Sequence, residues 1–231
     1  MIKEELIKRS PIRILEQTLH GGLGPGHLGV FVSKKGVGKT ACLVHFATDH
    51  LLRGQKVVHI SFSDDPHHIA NWYKQVYEEV AAAYQLESAN LIFDELLPDR
   101  LILHFKNNGS DLSAVQKSLD IYVKQGGFTP KMIIVDGTHF VEKEPASLLE
   151  WQNLAKAFDT QIWFSATLPA NAGSAAEFIK PFMEYFSVVI ELNAQPDHIQ
   201  LRLLKDQDAL SCEKLRLRLD PKSLLISNRR V

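Results

Sequence analysis

The chain has 231 residues, 45% of them apolar, with a formal net charge of −1. That length and apolar content suit one domain with a substantial core, and the charge excludes a global positive field of the kind that gathers nucleic acid. The two cysteines, Cys42 and Cys212, lack paired spacing, which leaves a disulfide framework or a zinc ribbon without support.

In chain order, residues 1–20 form an N-terminal helical segment, amphipathic over about 3–19 and broken at Pro11. It lacks the apolar run of a signal peptide. No later stretch approaches the roughly 20 apolar residues that span a bilayer. The expectation is therefore a cytoplasmic protein with no membrane partner. Gly21-Gly22-Leu23-Gly24-Pro25-Gly26 reads as a turn-rich loop, and Leu28–Ser33 as a strand. A helix over Thr40–Arg53 is stopped by Gly54. Lys56–Phe62 reads as a buried strand. Asp65-Pro66 offers an N-cap and a first-turn proline for a helix running to about Gln85.

Leu101–Phe105, Met132–Val135 and Gln161–Ser165 read as further strands. Asp111–Gln125 and Pro145–Phe158 read as the helices between them. This alternation predicts a single three-layer α/β domain over 1–231 with a mainly parallel sheet. Ser187–Leu192, His198–Leu204 and Leu215–Leu219 have short connections, which predicts antiparallel strands added at one edge. In the last of them, Leu215, Leu217 and Leu219 alternate with Arg216 and Arg218. From Leu201 onward, eight Lys/Arg stand against four acids, so that region carries +4 and the rest −5.

The strongest chemical signal is Val32-Ser33-Lys34-Lys35-Gly36-Val37-Gly38-Lys39-Thr40, between a strand and a helix. Glycines let a backbone turn its N–H groups inward around phosphate, and a helix start adds its positive dipole end. Ser33 through Ala41 would cradle ATP. Lys39 would reach the β/γ phosphates, and the Thr40 hydroxyl would ligate Mg2+. Ser33 stands where the pattern usually opens with Gly. Asp136 ends the apolar run Lys131–Val135 and would supply the carboxylate of the magnesium shell. The alternatives are a Gly/Lys-rich turn before an ordinary helix, and a capping aspartate.

With these motifs in place, the stretch from about Arg13 to Asp206 resembles the RecA-like P-loop ATPases, in the branch of the clock ATPase KaiC and the replicative helicase DnaB. The turn-rich loop, the phosphate loop and Leu51–Phe62 carry the likeness. It implies a base near the end of the second strand, for which Asp64 stands where the family has Glu, while Asp65 reads as a helix cap. It implies a γ-phosphate sensor, for which Thr167 is the candidate. It also implies homo-oligomers in which a neighbour supplies a cation. Lys205 matches that pattern, and Gln207 replaces its Arg. Lys34 stands where the partition ATPases resembling ParA and MinD carry a lysine that crosses a dimer. Here it reads as an added charge on the loop.

Ten histidines lack metal-ligand spacing, and the aromatic residues of 72–84 read as core or a subunit contact. The segment Leu168–Glu177 reads as a small-residue loop without a cation. Three functions follow. The first is a slow Mg-dependent ATPase acting as an oligomer. The second is a non-hydrolysing ATP sensor or scaffold with a protein partner. The third is a DNA recombination or replication accessory that uses Arg216 and Arg218.

Overall fold

The computed structural model describes residues 2–19, 21–86, 89–106, 112–140, 144–210 and 214–228. Asp111, Cys212, Glu213, Arg229 and Arg230 lie outside them. The elements are α1 (Ile2–Arg9), α2 (Ile12–Thr18), β1 (Leu28–Ser33), α3 (Lys39–Leu52), β2 (Val57–Ser61), α4 (Pro66–Ala83), α5 (Ala89–Leu96), β3 (Arg100–His104), α6 (Leu112–Asp120), β4 (Met132–Thr138), α7 (Leu148–Ala157), β5 (Gln161–Thr167), α8 (Ala175–Ile179), β6 (Val188–Ala194), β7 (Ile199–Asp206), β8 (Ala209–Leu210), β9 (Lys214–Leu219) and β10 (Ile226–Asn228).

The ten-stranded sheet runs β10-β9-β7-β6-β1-β5-β4-β2-β3, with β8 paired to β7. All pairs from β6 to β3 are parallel, and those beyond β6 toward β10 are antiparallel. One expectation is thereby corrected. The strand after Ser187 is parallel to β1 and antiparallel only to β7, so the switch of direction falls between β6 and β7.

The central strands β1, β2 and β4 are buried almost throughout, as their near-continuous apolar runs require when helices cover both faces. One apolar cluster joins α1–α5 to Phe31, Ile134, Trp163 and the Leu215-Leu217-Leu219 stripe. The other joins α6–α8 to Val30, Ile60, Ile133 and Phe164 on the opposite face. Arg13 and Arg53 converge on the buried carboxylate of Asp49, tying the N-terminal helices to α3.

Some boundaries differ from the sequence reading. Helix α5 is tied to α4: Tyr77 Oη donates to the Ala89 carbonyl at 2.9 Å, and Tyr77 packs on Phe93. The expected loop at Leu168–Glu177 contains the start of α8, nucleated by a capping box between Ser174 and Glu177. After α6 the chain continues as a wider π turn over Ile121–Gln125.

Candidate functional site

Strand β1 ends at the C-terminal edge of the parallel sheet, flanked by β5 on one side and β6 on the other. From β1, the remaining parallel strands run toward β3, while β6 opens the other way. Open α/β sheets place ligands at such a reversal of strand order. The glycine-rich loop stands there. Gly36 has φ +79° and Gly38 φ +104°, and Gly38 caps the start of α3. A side chain at Gly38 would lie 2.5 Å from Leu219 Cδ2, so β9 backs the loop closely.

Lys39 is 7% exposed, and its side chain curls back over the loop. Its ammonium donates to the Ser33 carbonyl at 3.2 Å, to Ser33 Oγ at 3.3 Å and to the Lys34 carbonyl at 3.1 Å. Burial pulls its pKa down to about 8, and the nearby Asp136 carboxylate partly opposes this. Lys34, Lys35 and Gly36 are exposed, Val37 packs partly against the core, and Ala41 is buried.

Asp136 is 4% exposed and fully engaged. Its Oδ2 accepts from Thr40 Oγ1 at 2.7 Å. Its Oδ1 accepts from Gly137 N at 3.0 Å and from Ser165 Oγ. Gly137 N also donates to Ser165 Oγ at 3.0 Å. The Gly137 backbone is left-handed, with φ +80°, and a Cβ there would meet Ser63 Oγ at 2.5 Å. A bulge between Val135 and Thr138 accompanies this turn of the strand.

Asp64 follows β2, the strand next to β4. Its N–H donates to Ser61 Oγ at 2.9 Å, its Oδ2 accepts from Ser63 Oγ at 2.9 Å, and its side chain is 40% exposed. Through Ser63, this turn lies against Gly137 and hence beside Asp136. Asp65 is the N-cap of α4, accepting from His67 N at 2.9 Å and His68 N at 3.0 Å.

Of the remaining candidates, one borders the loop and one stands apart. Thr167 is exposed at the end of β5, in register with Ser33. The hydroxyl of β5 that reaches Asp136 belongs to Ser165, which the sequence reading missed; its one signal is a lone hydroxyl inside the apolar run Ile162–Ala166. Lys205 pairs with Val189 near the start of β6, at the end of the sheet away from the loop, because β7 runs antiparallel. There its ammonium donates to the Met183 carbonyl at 2.7 Å. The chain therefore brings Lys39, Thr40, Asp136 and Ser165 together, with Asp64 alongside and Lys205 distant.

Thr40 and Asp136 offer two hard oxygen donors in contact, the chemistry that magnesium takes. Among the described residues no group of three or more His, Cys, Asp and Glu could hold a metal ion unaided. The pair suits an ion completed by water and phosphate oxygens. The basic face is present as well. Arg216 and Arg218 are exposed while Leu215, Leu217 and Leu219 are buried, and Arg202 is neutralised by Glu191 at 3.1 Å. No helix among the described residues is long and apolar enough to cross a membrane. No protein-family model matches the chain, and no curated protein is significantly similar to it.

Proposed function

We propose that the chain is a RecA-like ATP-binding protein that hydrolyses ATP slowly with magnesium and acts as an oligomer. The observation that carries this reading is the convergence of a buried lysine, a helix start and a hydroxyl–carboxylate pair on one glycine-rich loop. The backbone N–H groups of residues 36–41 receive the phosphates. Lys39 exchanges its three oxygen partners on the loop for phosphate oxygens. Thr40 and Asp136 would hold the magnesium, which would supply positive charge against the β and γ phosphates. Ser165 and Gly137 fix the carboxylate of Asp136 from behind, the kind of support that tunes a metal ligand.

In turnover, a water oxygen bonds to the γ-phosphorus as the bond to the β–γ bridging oxygen breaks, and ADP leaves with that oxygen. Asp64 takes the proton that the water releases. Two features favour slow turnover. Asp64 is one methylene shorter than glutamate, and its Oδ2 is already occupied by Ser63. The same observation favours a second reading, in which ATP is bound without hydrolysis and switches a protein contact.

Titration of purified chain with ATP, with and without magnesium, over a protein concentration series and beside Lys39→Ala, tests the proposal. Turnover that rises with protein concentration and disappears in the variant supports the oligomeric ATPase. Tight binding without turnover supports the sensor. Absence of magnesium-dependent binding overturns both.

A further inference from the structure

Asp64, His68 and Trp72 form a line from the turn before α4 onto its first two turns. Each residue stands four positions after the last, the spacing that brings side chains together on one helix face. Asp65 is occupied elsewhere, because its Oδ1 accepts from His67 N and His68 N at the helix start. The ring of His68 therefore stands between the candidate base and an indole, with 54% of its side chain exposed.

The two neighbours of His68 Nε2 have opposite needs. Trp72 Nε1–H lies 3.2 Å away and can only donate. Asp64 Oδ1 lies 3.9 Å away and, in a carboxylate, can only accept. The Trp72 contact requires a lone pair on Nε2, so the ring is neutral and its proton sits on Nδ1. A lone pair makes no bond to a carboxylate, and 3.9 Å is outside hydrogen-bond reach. A proton on Nε2 reverses the preference: the nitrogen no longer accepts from Trp72, and Asp64 Oδ1 becomes its acceptor.

That oxygen is the one Asp64 has to spare. Oδ2 accepts from Ser63 Oγ at 2.9 Å, and the Asp64 backbone is held by its N–H bond to Ser61 Oγ at 2.9 Å. Among the described residues Oδ1 has no hydrogen-bond donor, so it is the atom open to a proton from water. The other titratable groups around the pair are Asp65 and His67 at the helix start, and His59, which feels the Asp64 charge from inside β2. Burial pulls the His59 pKa down to about 4, so it stays neutral from pH 5 to 7, and Lys39, drawn down to about 8, stays charged there.

We infer that His68 is a proton-dependent positioning residue for Asp64. Neutral, it holds Trp72 and leaves Oδ1 of the base free. With a proton from solvent on Nε2, it turns to Asp64 and covers Oδ1. The consequence for turnover rests on the reading of Asp64 as the base; the exchange of partners does not. Both side chains are part-exposed, so the pair is weak, and its formation should lower turnover by about two- to fivefold.

The test follows the full 15N-labelled chain, without nucleotide, from pH 7 to 5, within the range where histidines change charge. The Trp72 indole N–H signal should move with the same midpoint as the His68 ring nitrogens, while those of the buried Trp151 and Trp163 stay fixed. In Asp64→Asn the His68 midpoint should move to lower pH, because the carboxylate that favours the ring charge is gone. A Trp72 signal indifferent to His68, or a midpoint that Asp64→Asn leaves in place, would overturn the inference. Turnover supplies a second arm. Over the same fall in pH the parent should lose more rate than His68→Phe, by the factor given above, and equal losses would remove His68 from control of the base. The first arm involves no hydrolysis, so it decides the exchange of partners even in a chain that binds ATP without turnover.

Discussion

Thr40 Oγ1 donates a 2.7 Å hydrogen bond to Asp136 Oδ2 across 96 positions of sequence. The contact joins the first turn of α3 to the end of β4, although β5 stands between β4 and β1. In the proposed function both atoms would be magnesium donors, and the pair holds the place that the ion would share. Asp136→Asn keeps the shape and removes the charge. Calorimetric titration should then show magnesium-dependent ATP affinity lower by about 10–100-fold. Ser165→Ala should give a smaller loss in the same measurement. Unchanged affinity in Asp136→Asn would remove Asp136 from the metal shell.

Lys39 sets a pH dependence. Burial lowers its folded pKa to about 8, below the 10.5 of a free lysine. The unfolded chain therefore binds more protons between those values, so this group adds stability as pH rises from about 8 to 10.5. Phosphate charge favours the ammonium, so ATP should raise this pKa. Just above pH 8, binding should take up a proton, and affinity should fall with further increase in pH. Calorimetry in two buffers of different ionisation heat reads the uptake. Persistence of that uptake in Lys39→Ala would assign it to another group.

Asp64→Asn separates turnover from binding. The amide cannot accept the proton of the attacking water, so hydrolysis should drop by 10²-fold or more while ATP affinity holds. A phosphate-release assay beside a binding titration reads both. Equal turnover in the variant and the parent would leave the base elsewhere.

Gly38→Ala meets two obstacles, a backbone at φ +104° and a Cβ 2.5 Å from Leu219 Cδ2. Denaturant unfolding should show a loss of about 1–3 kcal/mol, with weaker ATP binding. Adding Leu219→Ala removes the clash but not the backbone strain. The double variant should then be less destabilised than the two single losses added together. Strict additivity would show that the contact does not constrain the loop.

Asp49 faces Arg13 and Arg53 in the interior. Asp49→Asn leaves both guanidinium groups to the part-exposed carboxylate of Glu16 alone, at a cost of about 3 kcal/mol. A urea melt reads this, and a change below about 0.5 kcal/mol would place the pair's worth at that of a surface bridge.

Much of this architecture is legible in the order of residues, because it rests on local physics. Near-continuous apolar runs mark β1, β2 and β4. Asp65-Pro66 marks the start of α4, and Gly54 the end of α3. Gly36, Gly38, Lys39 and Thr40, set between a strand and a helix, mark the candidate phosphate loop. Asp136 is visible as a carboxylate closing a buried strand. The tertiary structure decided what depends on partners distant in sequence. β6 turned out parallel because its neighbour is β1, a pairing no short connection announces. Ser165 rather than Thr167 touches Asp136, because strand register selects which hydroxyl faces β4. Lys205 lies at the far end of the sheet, because the antiparallel return of β7 reverses its direction. In each case the deciding contact joins segments far apart in sequence, and no local pattern of residues encodes such a contact.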